Sequence, residues 1–116
     1  MTKSTITIDV EMDESRVPEG IVWNATDAIT NKPQRSKAMM LSFWDSEEKA
    51  ALRIDLWTKS MMVDEMADFF YQTMMTMADT YGRATNHTEV VEDMKKFAHE
   101  FYHKFREKQL KDNKAS

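Results

Sequence analysis

The sequence contains no cysteine and only two prolines and two glycines among its 116 residues. Without cysteine there is no disulfide framework, no thiolate metal site and no cysteine nucleophile. Two glycines are too few for the glycine-rich turns that bind nucleotide phosphates, and the G-x-S-x-G serine motif is missing. These absences exclude several common catalytic architectures, and they favour a reducing compartment such as the cytoplasm.

The sequence also has no long hydrophobic run. Its N-terminal residues, MTKSTITIDVEM, alternate between polar and apolar, whereas a signal peptide or membrane span needs a continuous apolar stretch. We therefore expect neither export nor membrane insertion. Hydrophobic residues make up 41% and charged residues 31%, the balance of a globular chain. A chain of this length predicts one domain over residues 1–116.

The net charge is -4, yet the C-terminal tail, about residues 106–116, is rich in lysine and arginine. Basic segments bind nucleic acid or anionic lipid in some proteins. Lysine and arginine also complement the dipole at a helix C-terminus, which suits an otherwise acidic chain better. We expect no nucleic-acid partner.

The first half of the chain alternates between polar and apolar residues, a pattern that predicts strands. The predicted strands lie at about residues 5–12, 21–25, 38–45 and 50–58. A turn is expected within residues 14–20, which contain a proline and a glycine, and a polar loop at 26–37. Together they predict a four-stranded antiparallel sheet.

The third and fourth predicted strands flank the charged segment DSEEK, which indicates a hairpin. The pattern predicts that Phe43 pairs with Leu52, Leu41 with Ile54 and Met39 with Leu56, and residues directly opposite each other in such a pair share a face. One face then holds six apolar side chains and is expected to be the core face: Met39, Leu41, Phe43, Leu52, Ile54 and Leu56. The other face is mixed and holds two tryptophans: Met40, Ser42, Trp44, Arg53, Asp55 and Trp57.

The second half of the chain shows helical periodicity and predicts α-helices at about residues 62–84 and 89–110. The first apolar stripe comprises Val63, Met66, Ala67, Phe70, Met74, Met77, Ala78 and Tyr81. The second comprises Val90, Met94, Phe97, Ala98, Phe101 and Phe105. Strands followed by helices are typical of an α+β fold, here a ββββ sheet with two C-terminal helices packed on one face.

One catalytic motif is present, because His99-Glu100-x-x-His103 fits the H-E-x-x-H pattern of zinc metalloproteases. On a helix, however, both histidines lie opposite the apolar stripe and should face solvent. A catalytic zinc needs a third protein ligand, and His87 lies too far along the helix to supply it. A small zinc-dependent metallohydrolase therefore remains the alternative hypothesis.

The eleven methionines and the two open-face tryptophans favour a binding surface, since flexible methionine and exposed aromatics are common at interfaces. The competing interpretation is that they fill the core or are scattered over the surface. The hypothetical contact residues are Trp44, Trp57, Met40, Arg53, Met62 and Phe69. Either a second copy of the chain or another protein is expected to bind there.

Three segments resemble the GldC family of gliding-motility accessory proteins of the Bacteroidota: DVEMDESRVPEGIVWNATD, SKAMMLSFWDSEEKAALRIDLWTKSMMVDEM and FFYQTMMTMADTYGRAT. The likeness covers about residues 4–86 and is most specific at LRIDLWTK and the VDEM that follows. It implies a cytoplasmic accessory protein of gliding, a motility associated with type IX secretion, without enzymatic activity or cofactor. The family supplies no binding motif to transfer and no support for the zinc hypothesis.

Overall fold

The computed structural model describes residues 2–27 and 32–115 and confirms the α+β class. The elements are β1 (Ile6–Met12), β2 (Pro18–Ala25), β3 (Gln34–Ser36), β4 (Ala38–Asp45), β5 (Ala50–Trp57), α1 (Val63–Thr85) and α2 (Thr88–Ala115). The chain divides into two compact units, Met1–Met61 and Met62–Ser116, and each is described by itself. In the described part of the chain, neither helix is long and apolar enough to cross a membrane.

The predicted four-stranded sheet is wrong in detail, because the described strands form two antiparallel sheets. One contains β1, β2 and β3 in that order, and the other contains β4 and β5. The additional strand, β3, lies within the predicted loop at 26–37, of which residues 28–31 are outside the described residues. It pairs with β2 through Val22 and Arg35. Its three residues are all polar, so no apolar alternation indicated a strand.

Asp13 organises the turn between β1 and β2. One carboxylate oxygen, Oδ1, accepts hydrogen bonds from the backbone amides of Ser15 at 2.8 Å and Val17 at 2.9 Å. The other, Oδ2, accepts one from Lys59 Nζ at 2.9 Å. The turn ends earlier than predicted, because the chain is already extended in β2 from Pro18 onward. A proline suits the first residue of a strand, where its missing N–H costs no ladder hydrogen bond.

We expect this turn to lose stability in acid. The Val17 amide and the Lys59 ammonium lower the pKa of Asp13 below its ordinary value of 3.8. A carboxyl with a lowered folded pKa stabilises the fold above its unfolded pKa, and this stabilisation is lost as the pH falls through the folded pKa.

The gap in melting temperature between the wild type and Asp13→Asn should therefore be wide at neutral pH and shrink below the ordinary pKa of 3.8. Thermal melts of both proteins across that pH range measure it. An equal gap at every pH would contradict the role given to the ionised carboxylate.

Thr58 follows β5 and forms hydrogen bonds to Lys37, the residue before β4. Its side chain is buried, and both its backbone N–H, at 2.7 Å, and its hydroxyl, at 2.9 Å, donate to the carbonyl oxygen of Lys37. Ser60 lies 3.2 Å from the same hydroxyl. The start of α1 is stabilised separately, because Glu65 Oε1 accepts a hydrogen bond from the backbone N–H of Met62 at 3.1 Å. Lys59 donates its backbone N–H to the carbonyl oxygen of Pro18 at 3.2 Å, which connects this end of β5 to β2.

In the second unit, α1 and α2 form an antiparallel hairpin that meets along small residues. The chain reverses after Asn86, which has a left-handed φ of 62° and donates its N–H to Gly82. A Cβ on Gly82 would lie 3.0 Å from Val91 Cγ2, so glycine permits this close approach. The buried alanines of the two helices are Ala67, Ala78 and Ala98.

The predicted apolar stripes are only partly buried, and the expectation that they face the core is wrong for five of their members, which are exposed. The helices pair along the small residues at one edge of each stripe. The line along which the two helices meet is here called the seam. The rings of Phe70 and Phe101 stack beside it with centroids 6.4 Å apart. The stripe residues that remain exposed are Val63, Phe70, Met77, Val90 and Phe97.

Candidate protein-binding surface

The β4–β5 hairpin is a ribbon whose two faces both expose apolar side chains. The predicted pairs Met39–Leu56, Leu41–Ile54 and Phe43–Leu52 are all confirmed by the register. Phe43, Leu52 and Ile54 are nevertheless more than half exposed, so the prediction of a core face is wrong for them. The physical reason is that β4 and β5 form a separate two-stranded sheet rather than part of a continuous one.

The opposite side of the ribbon, here called the tryptophan face, consists of Ala38, Met40, Ser42, Trp44, Ala51, Arg53, Asp55 and Trp57. Trp44 is 67% exposed and Trp57 is 60% exposed. They lie at opposite ends of the ribbon, with Trp44 beside Ala51 and Trp57 beside Ala38. Six residue steps at about 3.3 Å each separate the two ends by roughly 20 Å. Each end therefore has one protruding indole next to one small side chain.

An ion pair occupies the middle of the tryptophan face. Arg53 donates two hydrogen bonds to Asp55, from Nη2 at 2.8 Å and from Nε at 3.1 Å. These bonds raise the pKa of the Arg53 guanidinium. Met40 lies opposite Asp55 in the register and is half-buried. The centre of the face is thus electrically neutral but strongly polar, with indoles on either side.

Two further predicted contact residues, Met62 and Phe69, belong to the helical unit. Met62 precedes α1 and is exposed, whereas Phe69 is half-buried. Seven residues separate them, which places both on one side of the chain as it enters the helix. These two positions, here called the Met62 and Phe69 patch, belong to a different unit from the ribbon and are described apart from it.

His99 and His103 are both exposed, as predicted, and each has a local partner. His99 Nδ1 lies 3.2 Å from Tyr71 Oη, and His103 Nε2 lies 3.2 Å from Glu107 Oε1. Within residues 2–27 and 32–115, no three side chains of the metal-ligating types converge. Among those residues, no third side chain of a metal-ligating type is positioned with the two histidines, whereas a catalytic zinc takes three protein ligands.

An aromatic cluster surrounds Tyr71 and is not predicted by the apolar stripes. The Tyr71 ring lies 5.0 Å from that of Tyr102 and 5.7 Å from that of His99, centroid to centroid. The sequence does carry one signal for this cluster. If two antiparallel helices reverse at Asn86 and His87, residue 71 lies opposite residue 102. The cluster occupies the seam between the helices and orients His99, which gives that histidine a structural contact.

One known protein family matches most of the chain. Residues 18–107 match the family described as gliding motility-associated protein GldC-like. No curated protein and no solved structure matches the chain. The matched range begins with β2 and includes the whole tryptophan face, Met62, Phe69 and both α2 histidines.

Proposed function

The chain belongs to the GldC-like family of gliding motility-associated proteins, and on that premise we propose that it is a non-enzymatic, cytoplasmic accessory protein of gliding. It acts by binding other proteins of the motility apparatus, which is associated with type IX secretion. The observation that carries the proposal is the exposed apolar surface of the β4–β5 ribbon. Its contact surface is the tryptophan face, with the Met62 and Phe69 patch as a second candidate.

A ribbon of this composition favours a binding role on energetic grounds. A two-stranded hairpin is marginally stable by itself, so its apolar side chains need cover from other protein surfaces. Contiguous exposed apolar patches on folded proteins mark interaction sites. Tryptophan is also the residue most enriched among those that dominate binding energy. Trp44 and Trp57 are both more than half exposed and project from one face, which suits them as anchors.

The competing hypothesis is zinc-dependent hydrolysis at His99, Glu100 and His103. A general base and two ligands on one helix turn would serve such chemistry only beside a third ligand and a concave site. Both histidines are instead exposed, and His99 is engaged with Tyr71. These contacts favour a surface role for the motif.

Complementation of a deletion strain separates the two hypotheses. We expect Trp57→Ala to be folded, to weaken capture of partner proteins about thirtyfold, and to impair gliding, since truncating an anchor tryptophan costs at least ~2 kcal/mol of binding. His103→Ala is the matched control, because it also truncates an exposed ring and leaves the ribbon untouched.

The measurements are colony spreading and affinity purification from the native host, with circular dichroism to check folding. Wild-type gliding by Trp57→Ala together with loss of gliding by His103→Ala would reverse the conclusion in favour of the catalytic hypothesis.

A further inference from the structure

The tryptophan face has an approximate two-fold symmetry within one chain. Strand β4 runs AMMLSFW from Ala38 to Trp44, and β5 runs ALRIDLW from Ala51 to Trp57. The register pairs Leu41 with Ile54, so these two residues mark the centre of the arrangement. A rotation of 180° about an axis through that point and perpendicular to the ribbon exchanges the two alanines with each other. It also exchanges the two tryptophans with each other. Each end of the face therefore repeats one arrangement, an indole beside an alanine.

We propose that the tryptophan face binds a second copy of this chain face to face. The inference rests on the proposed binding function and identifies one occupant of that surface. A two-fold axis lying across the strands at the ribbon centre sets Trp44 of one copy over Ala38 of the other. The same axis sets Trp57 over Ala51. All four indoles then lie over alanines of the other copy, the self-complementarity that a two-fold interface requires.

The charges of the face fit the same arrangement. The axis brings the Ser42–Arg53 row of one copy over the Met40–Asp55 row of the other. Arg53 of each copy then faces Asp55 of the other, so the two in-chain ion pairs form an alternating ring of two guanidinium and two carboxylate groups. An apolar partner would instead bury each Arg53–Asp55 pair without compensation, which is costly. Charge complementarity thus favours a second copy over a purely hydrophobic ligand.

The available area indicates a reversible association. At about 250 Å² for a whole indole side chain, the exposed fractions of Trp44 and Trp57, 67% and 60%, give roughly 300 Å² per copy. Two copies contribute about 600 Å² from tryptophan, against a total of about 1,200 Å² for the smallest stable specific interfaces. The remaining residues of the face add to this, so the dimer should form as the protein concentration rises.

Sedimentation of the full-length, untagged protein over a concentration series provides the test. Arg53→Glu and Asp55→Lys, each alone, should weaken self-association at least ~tenfold, because like charges then face each other across the interface. An equimolar mixture of the two variants should regain wild-type association, since the introduced carboxylate faces the introduced ammonium. Trp57→Ala should weaken it about thirtyfold.

The double variant Arg53→Asp with Asp55→Arg is the control for folding and for the in-chain ion pair. It keeps both the pair within the chain and the pair across the interface, so it should dimerise as the wild type does. A wild type that stays monomeric at the highest attainable concentration overturns the proposal, as does a mixture that fails to restore association.

The failures of the two proposals are distinguishable. If the wild type is monomeric while Trp57→Ala still loses partner proteins in affinity purification, the tryptophan face binds another protein, so the dimer is overturned and the proposed function stands. If Trp57→Ala changes neither self-association nor captured partners, the dimer is overturned and so is this face as the functional surface.

Discussion

Replacing Ile21 with alanine is expected to lower the free energy of unfolding by about 2–5 kcal/mol. Ile21 is 1% exposed and lies in β2, the central strand of its sheet. It pairs with Val10 on one side and Ser36 on the other. Removing three carbons at such a site loses their transfer free energy and leaves a cavity that a strand bonded on both edges cannot readily close. The loss is a large share of the ~5–15 kcal/mol that holds an ordinary domain folded.

Urea unfolding followed by circular dichroism measures this change. Ile6→Ala is the matched control: the same side chain is removed from β1, where it is 71% exposed, and the cost should stay below about 1 kcal/mol. Ile21→Val should fall between the two, at about 0.5–1.5 kcal/mol. Equal costs at positions 6 and 21 would show that β2 is not the centre of the packed sheet.

The parts of the fold predicted correctly from sequence are those where alternation and a turn signal coincide. Strand β4 was expected at 38–45 and occupies Ala38–Asp45, because apolar alternation and the charged DSEEK turn fix both its phase and its end. The shared face of Trp44 and Trp57 follows from the same alternation. By contrast, β3 has no alternating residues, and its pairing with β2 is a long-range contact that leaves no local signal.

Helix periodicity predicted the helices well but not how they pair. The start of α1 was predicted one residue early, and α2 continues to Ala115 rather than 110. Large apolar residues dominate the stripes, which is why their periodicity predicts a core face. A period of 3.6 residues identifies an apolar side but does not say which of its flanks meets a neighbour. In this hairpin, small residues determine which flank of each stripe meets the other helix, since Gly82 and the buried alanines allow the backbones to approach.

The candidate surface shows the same division between local and long-range information. Which residues share the tryptophan face is a property of each strand and was predicted. The position of Trp44 beside Ala51, and of Trp57 beside Ala38, follows from the register between the strands, which the hairpin pattern also predicts and the structure confirms. With that register, each tryptophan lies beside an alanine, and the positive and negative groups of the ion pair lie between the two ends. What alternation does not predict is that both faces of the ribbon are exposed, because this depends on β4 and β5 forming a sheet of their own.

Replacing Ala98 with leucine is expected to destabilise the helical hairpin by about 1–3 kcal/mol. Ala98 is 0% exposed. It lies on the same side of α2 as Val91 and Tyr102, which approach Gly82 and Tyr71 of α1. Three added carbons at this seam must push the helices apart or force strained rotamers. Leucine and alanine are both good helix formers, so intrinsic helix propensity explains little of the change.

Thermal and urea unfolding of Ala98→Leu measure the effect. Ala84→Leu is its matched control, because position 84 is exposed near the end of α1 and the added carbons there meet solvent. That variant should change the free energy of unfolding by less than about 0.5 kcal/mol. If Ala98→Leu is as stable as the wild type, the seam between the helices is not close-packed at this position and the larger stripe residues hold the hairpin together.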